Sequence, residues 1–520
     1  MKTGTQYISR LLKTVKTYSS VSFASKKITR KYLLAAALAC TFTACDLQKE
    51  NINPNASSEI SLSAVLTGAE VSLGFNVGVN GGLITNIYIQ QVSGANGDAA
   101  SFDNYSTNPS YFNTTWAGFY TGVLDELNIV QNTATERQQP YYAGIARLLK
   151  VYTYSTVTDI FGDIPYSEAL QGNGIVNPTY DKQDGIYNDL QLQLDQAITD
   201  LQKLPADNIG ATPATDDVIY GGNTSKWISA AYTLKARLAL HLSKLDAGSA
   251  AQKALDYLYD GTTYRGIQNN ANDAQVVFGS SATNANPYYQ QNTTRPGWIG
   301  LGASFVNLLN GNEVTDPNTQ PEGTYVDPRR ALFATPYPAG GITYKGSAPG
   351  ISGAFSLIGS YYGTSTSPVI LLSYAEAKFI EAEARLILNT SDPLVQTALQ
   401  DAVKASFSKV ITTTTDPYAT AQKQADYISA KATTTGNFEN DLKTIITQKY
   451  IALFLQPEVW SDYRRTGYPA IPLAQNATSS ANPDGLIPRR IPYPQNEQSL
   501  NKNAPAGSTY QLPRLWWDKQ

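Results

Sequence analysis

Cysteine and histidine are nearly absent from this 520-residue chain, which has two cysteines, Cys40 and Cys45, and one histidine, His241. Both cysteines lie in the first 45 residues, so the remaining residues can form neither a disulfide framework nor a thiolate metal site. Stability must therefore come from burial, and some 475 residues are enough for a large core. Charged residues are also scarce, at 16% of the chain.

The segment around residues 26–45 has the layout of an export signal. A basic block precedes a short apolar run, Tyr32 to Ala39, which is too short to span a bilayer. Phe42-Thr43-Ala44-Cys45 then resembles a bacterial lipobox, in which the cysteine is acylated and becomes the first mature residue. The alternative is an ordinary secretory signal that contains two cysteines. The interpretation gives a signal peptide at 1–44, a lipidated flexible tether at 45–58 and one domain at 59–520.

The charge of the mature chain excludes a nucleic-acid function. Eight of the 39 basic residues and none of the 42 acidic ones lie in residues 1–44, which leaves a net charge of −11. Nucleic-acid binding requires a basic surface instead. The 34 tyrosines and abundant amide and hydroxyl side chains suit an uncharged polar ligand such as a sugar, although they also suit an extracellular protein with many loops.

Helical periodicity recurs along the chain. Apolar residues repeat at helical spacing over 186–204 and 227–245, and again over 371–388, which opens on the capping-box pair Ser373 and Glu376. A further helix is expected over 441–456, before Pro457. Alternating alanine and large apolar residues predict closely packed helix pairs. These resemble tetratricopeptide packing, although no 34-residue repeat is visible.

Two regions interrupt this pattern. Residues 260–370 are rich in Gly, Pro, Asn and Tyr and predict a central elaboration of loops and short strands on the helical scaffold. The last 60 residues contain many prolines and predict an extended segment wrapped over the surface. The predicted fold is therefore mostly α, with one scaffold, one loop-rich elaboration and a C-terminal wrap.

Four segments carry a specific resemblance. They are TVTDIFGDIPYSEAL (156–170), the Ala-rich helix at 371–388, QKYIALFLQPEVWSDYRRTGYP (448–469) and IPRRIPYPQNEQSLN (487–501). Together with the lipobox, in this order, they resemble the SusD/RagB family of nutrient-binding outer-membrane lipoproteins. The resemblance covers essentially the whole mature chain.

The resemblance implies a mostly α-helical, lipid-anchored protein on the outer face of the outer membrane. Such proteins cover a SusC-like TonB-dependent transporter and bind oligosaccharide, or peptide in RagB-like branches, for import. The family's surface-export signal is an acidic run soon after the cysteine. Here only Asp46 and Glu50 follow Cys45, with Lys49 between them, so surface exposure rests on the fold.

The motif residues themselves favour structural roles. Gly162 is expected to end a helix at positive φ, with Asp159 and Asp163 as caps on either side of the turn, although paired carboxylates also occur in glycoside hydrolases. The four arginines of the last two segments are expected to pair with helix carboxylates such as Glu376 or Glu381, or else to clamp an anionic ligand. They are Arg464, Arg465, Arg489 and Arg490. His241 is expected to be a half-buried packing residue.

The sequence does not favour an enzyme. It shows no nucleophile elbow, metal-ligand cluster, phosphate-binding glycine loop or cofactor fingerprint, so no cofactor is expected. The leading function is ligand binding for a transporter. A secreted glycan hydrolase and a scaffold that holds another protein through its helix pairs are the alternatives.

Two segments concentrate aromatic and amide side chains in regions without helical periodicity, SFDNYSTNPSYF (101–112) and NPYYQQNTTRPGW (286–298). A pyranose has an apolar face and a polar rim, so aromatic rings and amides suit it. The predicted ligand-binding residues are Phe102, Asn104, Tyr105, Tyr288, Tyr289 and Trp298. Tyr105 and Trp298 are assigned as stacking platforms and Asn104 as a partner of ring hydroxyls. The alternative is that these aromatics pack loops onto helices.

Overall fold

Helices account for most of the structure, a computed structural model that describes residues 61–313, 320–351, 353, 355–412 and 416–520. Residues Ser61–Gln520 form one compact unit. The predicted signal peptide, the tether and Cys45 lie outside the described residues, and the domain boundary at 59 stays a prediction.

The helices, numbered in chain order, confirm a mostly α fold. The first half contains α1 (Leu62–Phe75), α2 (Gly82–Tyr88), α3 (Gly97–Asp103), α4 (Asn113–Phe119), α5 (Asp125–Glu136), α6 (Pro140–Phe161), α7 (Gln183–Leu201), α8 (Thr224–His241) and α9 (Ala247–Leu258). The second half contains α10 (Pro287–Thr294), α11 (Ala303–Leu309), α12 (Arg330–Phe333), α13 (Ser360–Gly363), α14 (Tyr374–Leu388), α15 (Pro393–Val410), α16 (Ala421–Lys431), α17 (Phe438–Ala452), α18 (Glu458–Thr466) and α19 (Gln495–Leu500).

Neighbouring helices pack as pairs, and capping residues set where they begin. Helices α5 and α6, α6 and α7, α8 and α9, and α14 and α15 make extensive contacts. Ser373 accepts the amide of Glu376 and starts α14, as the capping-box spacing predicts. The start is three residues later than predicted because residues 369–372 form a strand. Helix α17 ends at Ala452, five residues before Pro457.

The predicted alternation of small and large residues forms the helix interfaces. One buried cluster joins Phe379 and Ala382 of α14 to Leu399 and Ala402 of α15. Another consists largely of alanines from α8, α9 and α14, including Ala236, Ala251 and Ala377, which let these helix backbones approach closely. The pairs can therefore bury a continuous core without large gaps.

Short strands form two-stranded antiparallel sheets in the described part of the chain. They are β1 (Val92–Gly94) with β5 (Ile299–Leu301), β2 (Tyr259–Asp260) with β3 (Thr263–Tyr264), and β4 (Ala274–Val276) with β6 (Val369–Leu372). The central region thus has the short strands that the sequence predicts, but the helices α10, α11, α12 and α13 within it were not predicted. Pairing of β1 with β5 fixes this region against the N-terminal helices.

One described segment, Leu62–Tyr88, is long and apolar enough to cross a membrane by length and composition alone. Leu66, Leu73 and Ile87 of this segment are buried in the main core cluster, and core helices of water-soluble proteins pass the same test. In the structure the segment is the N-terminal core helix, interrupted by a π-helical turn at Asn76–Asn80.

The C-terminal segment wraps over α6, as predicted, and arginines hold it there. Arg490 donates to the carbonyl oxygen of Phe161, and the amide of Ile491 donates to the carbonyl oxygen of Ile160. Arg489 pairs with Asp518. The predicted pairing of the motif arginines with helix carboxylates is confirmed for Arg465, which pairs with Glu383 of α14. The two carboxylates named as examples have other partners, because Glu376 pairs with Arg237 and Glu381 with Lys378 and Arg385.

The other two motif arginines are buried at the centre of the fold. Arg465 forms ion pairs with Glu383 of α14 and with Asp462. Arg464 donates to the carbonyl oxygens of Asp159 and Arg489 rather than to a carboxylate. These bonds join α18 to α14, α6 and the C-terminal segment. A role as an exposed anion clamp is excluded because both side chains are buried.

Candidate functional site

The two segments that the sequence selects meet in the structure. The β1–β5 ladder pairs Gly94 with Ile299, and beyond it the amide of Ala95 donates to the carbonyl oxygen of Trp298 at 2.7 Å. Asn96 Nδ2 donates to the carbonyl oxygen of Gly297 at 2.7 Å. The start of α3 and the end of the 286–298 segment therefore lie side by side, and they form two walls of one pocket.

This pocket has a volume of about 430 Å³. Its floor is apolar and comes from the first long helix, through Phe75, Val79 and Leu83. Its walls carry aromatic rings and polar groups from α3, the turn Pro109–Phe112, α4, α10 and the residues that follow α10, namely Asp98, Phe102, Tyr111, Thr114, Gln290, Gln291, Arg295 and Trp298. The mixture of apolar surface, aromatic rings and a few amides is typical of a small-molecule site.

Trp298 is half-buried at the pocket wall, and its position is fixed from two sides. The Arg295 guanidinium lies 4.3 Å from the centre of the indole ring. Gly97, at φ +58°, lies against the ring so closely that a Cβ there would come within 2.7 Å of it. Only glycine combines this backbone conformation with so close an approach. The ring is therefore preorganised rather than free to rotate.

Asp103 fixes the other end of α3. Its carboxylate accepts the amides of Gly94 at 3.1 Å and Gly350 at 2.6 Å. Burial raises the pKa of Asp103 to about 7, because it outweighs the hydrogen bonds from the two amides, which lower the pKa. This residue lies directly after Phe102, so it positions the pocket wall without lining it.

The six predicted residues separate into three groups. Phe102 and Trp298 line the pocket. Asn104 and Tyr289 lie outside its lining, and Tyr289 is 37% exposed. Tyr105 and Tyr288 are only 1% and 2% exposed.

The assignments of Tyr105 and Tyr288 as ligand-binding residues are therefore corrected. The Tyr105 ring packs edge-on against Tyr88, with 5.8 Å between ring centres, and presents no face to a ligand. Tyr288 points into the core from the first turn of α10. Asn104 accepts the Ser106 hydroxyl and caps a turn.

Several lining residues were missed because α10 was not predicted. Pro287, Gln290, Gln291 and Thr294 all line the pocket and stand at positions i, i+3, i+4 and i+7. This spacing puts them on one helix face. The sequence does contain the helix start, because Asn286 accepts the amides of Tyr288 and Tyr289, and Pro287 occupies the first turn.

The paired carboxylates of the 156–170 segment form no glycosidase site. Asp163 accepts the amide of Gln183 and pairs with Lys182, so it caps α7 as expected. Asp159 is buried and accepts the Tyr187 hydroxyl and the Trp517 indole N–H. The cavity beside it holds about 20 Å³, which is room for a water molecule but not a sugar.

His241 is more buried and more polar in its contacts than predicted. It is 2% exposed, with Nε2 2.8 Å from Glu458 and Nδ1 3.3 Å from Asp159. Burial disfavours the imidazolium, but the carboxylates of Glu458 and Asp159 outweigh burial and raise the pKa of His241 to about 9. It is a charged member of a buried network rather than a half-buried packing residue. Across the described residues, no group of three His, Cys, Asp or Glu side chains could hold a metal ion.

A family model described as SusD-like, starch-binding and associating with the outer membrane matches residues 54–494. A solved chitin-binding protein is 24% identical, with a TM-score of 0.72 over 88% of this chain and 100% of its own. A chitin-binding SusD homologue from Flavobacterium johnsoniae is 23% identical, with a TM-score of 0.72 over 87% and 98% of the two chains.

A SusD/RagB family protein from Bacteroides thetaiotaomicron is also similar, with 23% identity and a TM-score of 0.70 over 88% of this chain and 99% of its own. At these identities the likeness shows a shared fold. A comparison with the curated proteins finds no match.

Proposed function

The chain belongs to the SusD-like family, and on that premise we propose that it is a non-enzymatic binding protein that captures oligosaccharide at the outer membrane. The substrate class comes from the family description and from the chitin-binding relatives. In this proposal the protein then delivers the ligand to a SusC-like TonB-dependent transporter.

The proposal rests chiefly on the pocket between α3 and Trp298. Its volume of about 430 Å³ accepts one or two sugar rings. Trp298, Phe102 and Tyr111 offer apolar surface for a pyranose face. Gln290, Gln291 and Asp98 supply amide and carboxylate groups for hydroxyls around its rim.

A binding titration tests the pocket directly. The protein is titrated with starch-derived and chitin-derived oligosaccharides by calorimetry, as wild type, Trp298→Ala and Tyr289→Ala. Tyr289 is the matched control because it is an exposed aromatic residue near the pocket but outside its lining. A stacked ring contributes about 0.5–1.5 kcal/mol beyond its buried area, so Trp298→Ala should weaken binding about tenfold with little change in Tm.

The outcomes separate the alternatives. If both substitutions weaken glycan binding equally, Trp298 does not belong to the binding site. Release of reducing ends would favour the hydrolase, and binding of peptides in place of glycans would favour a RagB-like function. Failure to bind either class, with a β-barrel partner co-purifying, would favour the scaffold.

The lipid anchor at Cys45 is part of the same proposal and has its own test. Acylation would hold the mature chain on the membrane through the tether at 45–58. Cys45→Ala should then move the protein from the membrane fraction to the soluble fraction. Unchanged sedimentation of the variant at high salt would assign membrane retention to the transporter partner instead.

A further inference from the structure

A second cavity, lined by none of the residues of the first pocket, lies between α5, α6, α7 and the segment 166–171. Its volume is about 300 Å³. Its lining includes the side chains of Arg147, Lys150 and Tyr154 from α6 and Asn128 from α5. Arg147, Lys150 and Tyr154 are three or four residues apart, so they share one face of the helix.

The charge of this cavity is one-sided. Arg147 and Lys150 line it, whereas no aspartate or glutamate does so in the described chain. Arg147 pairs with Asp200 at 3.3 Å and donates to the side-chain oxygen of Gln193, which also lines the cavity, at 2.7 Å. Asp189 lies outside the lining, where it accepts the Tyr166 hydroxyl and the Gln193 amide. Lys150 donates to the neutral amide of Asn128 at 2.9 Å and has no carboxylate within ion-pair distance among the described residues.

Lys150 is therefore a half-buried cation without a counter-charge in the described part of the chain. Burial, together with the positive charge of Arg147, lowers the pKa of Lys150 to about 8. A charge withdrawn from water is costly unless it is paired. An anion that entered the cavity would supply the missing partner and would contact both cations at once.

We propose that this cavity binds the carboxylate or phosphate group of a small anionic ligand through Lys150 and Arg147. The remaining lining suits the rest of such a ligand. Gln131, Gln171 and Ser167 offer uncharged polar groups, and the rings of Tyr154 and Tyr166, 4.7 Å apart, form an apolar wall. An acidic sugar fits this arrangement, and so does free phosphate.

Backbone strain in the cavity wall agrees with a binding role. Leu170 lines the cavity and has φ +61°, a conformation that costs a non-glycine residue on the order of 1–3 kcal/mol. The strain places its side chain in the wall of the cavity.

The test uses the full chain at low ionic strength, because salt would screen the interaction. Glucuronic acid, inorganic phosphate and the neutral sugar glucose are titrated by calorimetry against wild type, Lys150→Met and Lys253→Met. Lys253 is an exposed lysine outside the cavity and serves as the control. We expect at least one anion to bind tenfold or more tighter than glucose, and Lys150→Met, but not Lys253→Met, to abolish that preference.

Binding of glucuronic acid without phosphate would identify an acidic sugar, and binding of phosphate alone would identify a free oxyanion. Equal binding of glucose and both anions, or a preference that survives Lys150→Met, would overturn the proposal. If Lys150→Met does not fold, acylation of Lys150 in the wild type is followed by mass spectrometry. Protection by the anions and not by glucose would support the site, and labelling unchanged by all three would refute it.

Discussion

Charged side chains are buried and paired in the network around Arg465, whereas the pocket around Trp298 leaves aromatic and polar side chains partly exposed. In the network, Arg465, Glu383, Asp462 and His241 are buried and each has a charged partner. In the pocket, Trp298 is half-buried beside an Arg295 that is exposed. Charged groups that are buried and fully paired stabilise the fold. Aromatic and polar groups that stay partly exposed can still bind a ligand.

This contrast explains why the motifs that identify the family are poor guides to its ligand. The arginines and carboxylates of the 156–170 and 448–469 segments hold helices and the C-terminal segment together. The pocket is built instead from the N-terminal core helix and from the short helices α3, α4 and α10, which carry none of these motifs. Substitutions in the network should change the free energy of unfolding, whereas substitutions in the pocket should change the affinity for the ligand.

The largest expected effect follows from Arg465→Met. Glu383 would then be buried without a partner, and breaking a buried ion pair typically costs about 3–5 kcal/mol. Urea unfolding should show this loss in the free energy of unfolding. Lys443→Met, which removes a cation from an exposed pair with Glu313, should cost less than about 1 kcal/mol. Equal losses for the two variants would contradict the structural role of the network.

Raising the pH should weaken the network through His241. Because its folded pKa of about 9 lies above the unfolded value near 6.5, its contribution is full below pH 6.5 and is lost as the pH rises through 9. The expected loss is about 2 kcal/mol between pH 7 and 9. His241 is the only histidine, so its NMR titration in a protein without a histidine tag is unambiguous. A titration midpoint below 7 would contradict the charged assignment.

Gly162→Val should destabilise the fold by about 1–2 kcal/mol. Gly162 ends α6 at φ +90°, and the nearest atom to an added Cβ would be Leu515 Cδ2 at 3.4 Å, so the cost is conformational rather than steric. Thermal unfolding measures the loss, and Gly185→Ala, at a helical position with open space around it, is the control. A large loss of glycan binding at unchanged Tm would place this turn in the binding site.

The smallest effect on stability is expected for Gly97→Ala, which should act on the pocket. An added Cβ would displace the Trp298 ring and weaken glycan binding by roughly threefold to tenfold, about 1 kcal/mol in binding energy. Gly261→Ala is the matched control, because Gly261 has nearly the same φ, +59°, and nothing within 4 Å of an added Cβ. Both variants should lose similar stability, and only Gly97→Ala should lose affinity.

Local patterns predicted the scaffold well and the site only in part. The periodic segments became α7, α8, α14 and α17 because their apolar stripes are encoded within each segment. Phe102 and Trp298 were found because large aromatic residues in an aperiodic region are visible in the sequence.

The errors have a common physical cause. Whether Tyr105 faces solvent depends on Tyr88, which packs against its ring from elsewhere in the chain and is itself in contact with Tyr510. Likewise, Arg464 contacts the carbonyl oxygen of Asp159, 305 residues away, instead of a carboxylate. Such pairings depend on the tertiary fold, and the residue types alone do not specify them.

The C-terminal wrap also determines when, relative to synthesis, the protein can finish folding. The Trp517 indole N–H reaches the buried Asp159 carboxylate across 358 residues of sequence, and Arg490 reaches Phe161 across 329. When only α6 and its neighbours have emerged from the ribosome, the C-terminal residues that complete the core around them have not yet been synthesised. Contacts so distant in sequence are formed slowly. We expect folding to follow synthesis rather than accompany it, which would keep the chain in a translocation-competent state during the proposed export.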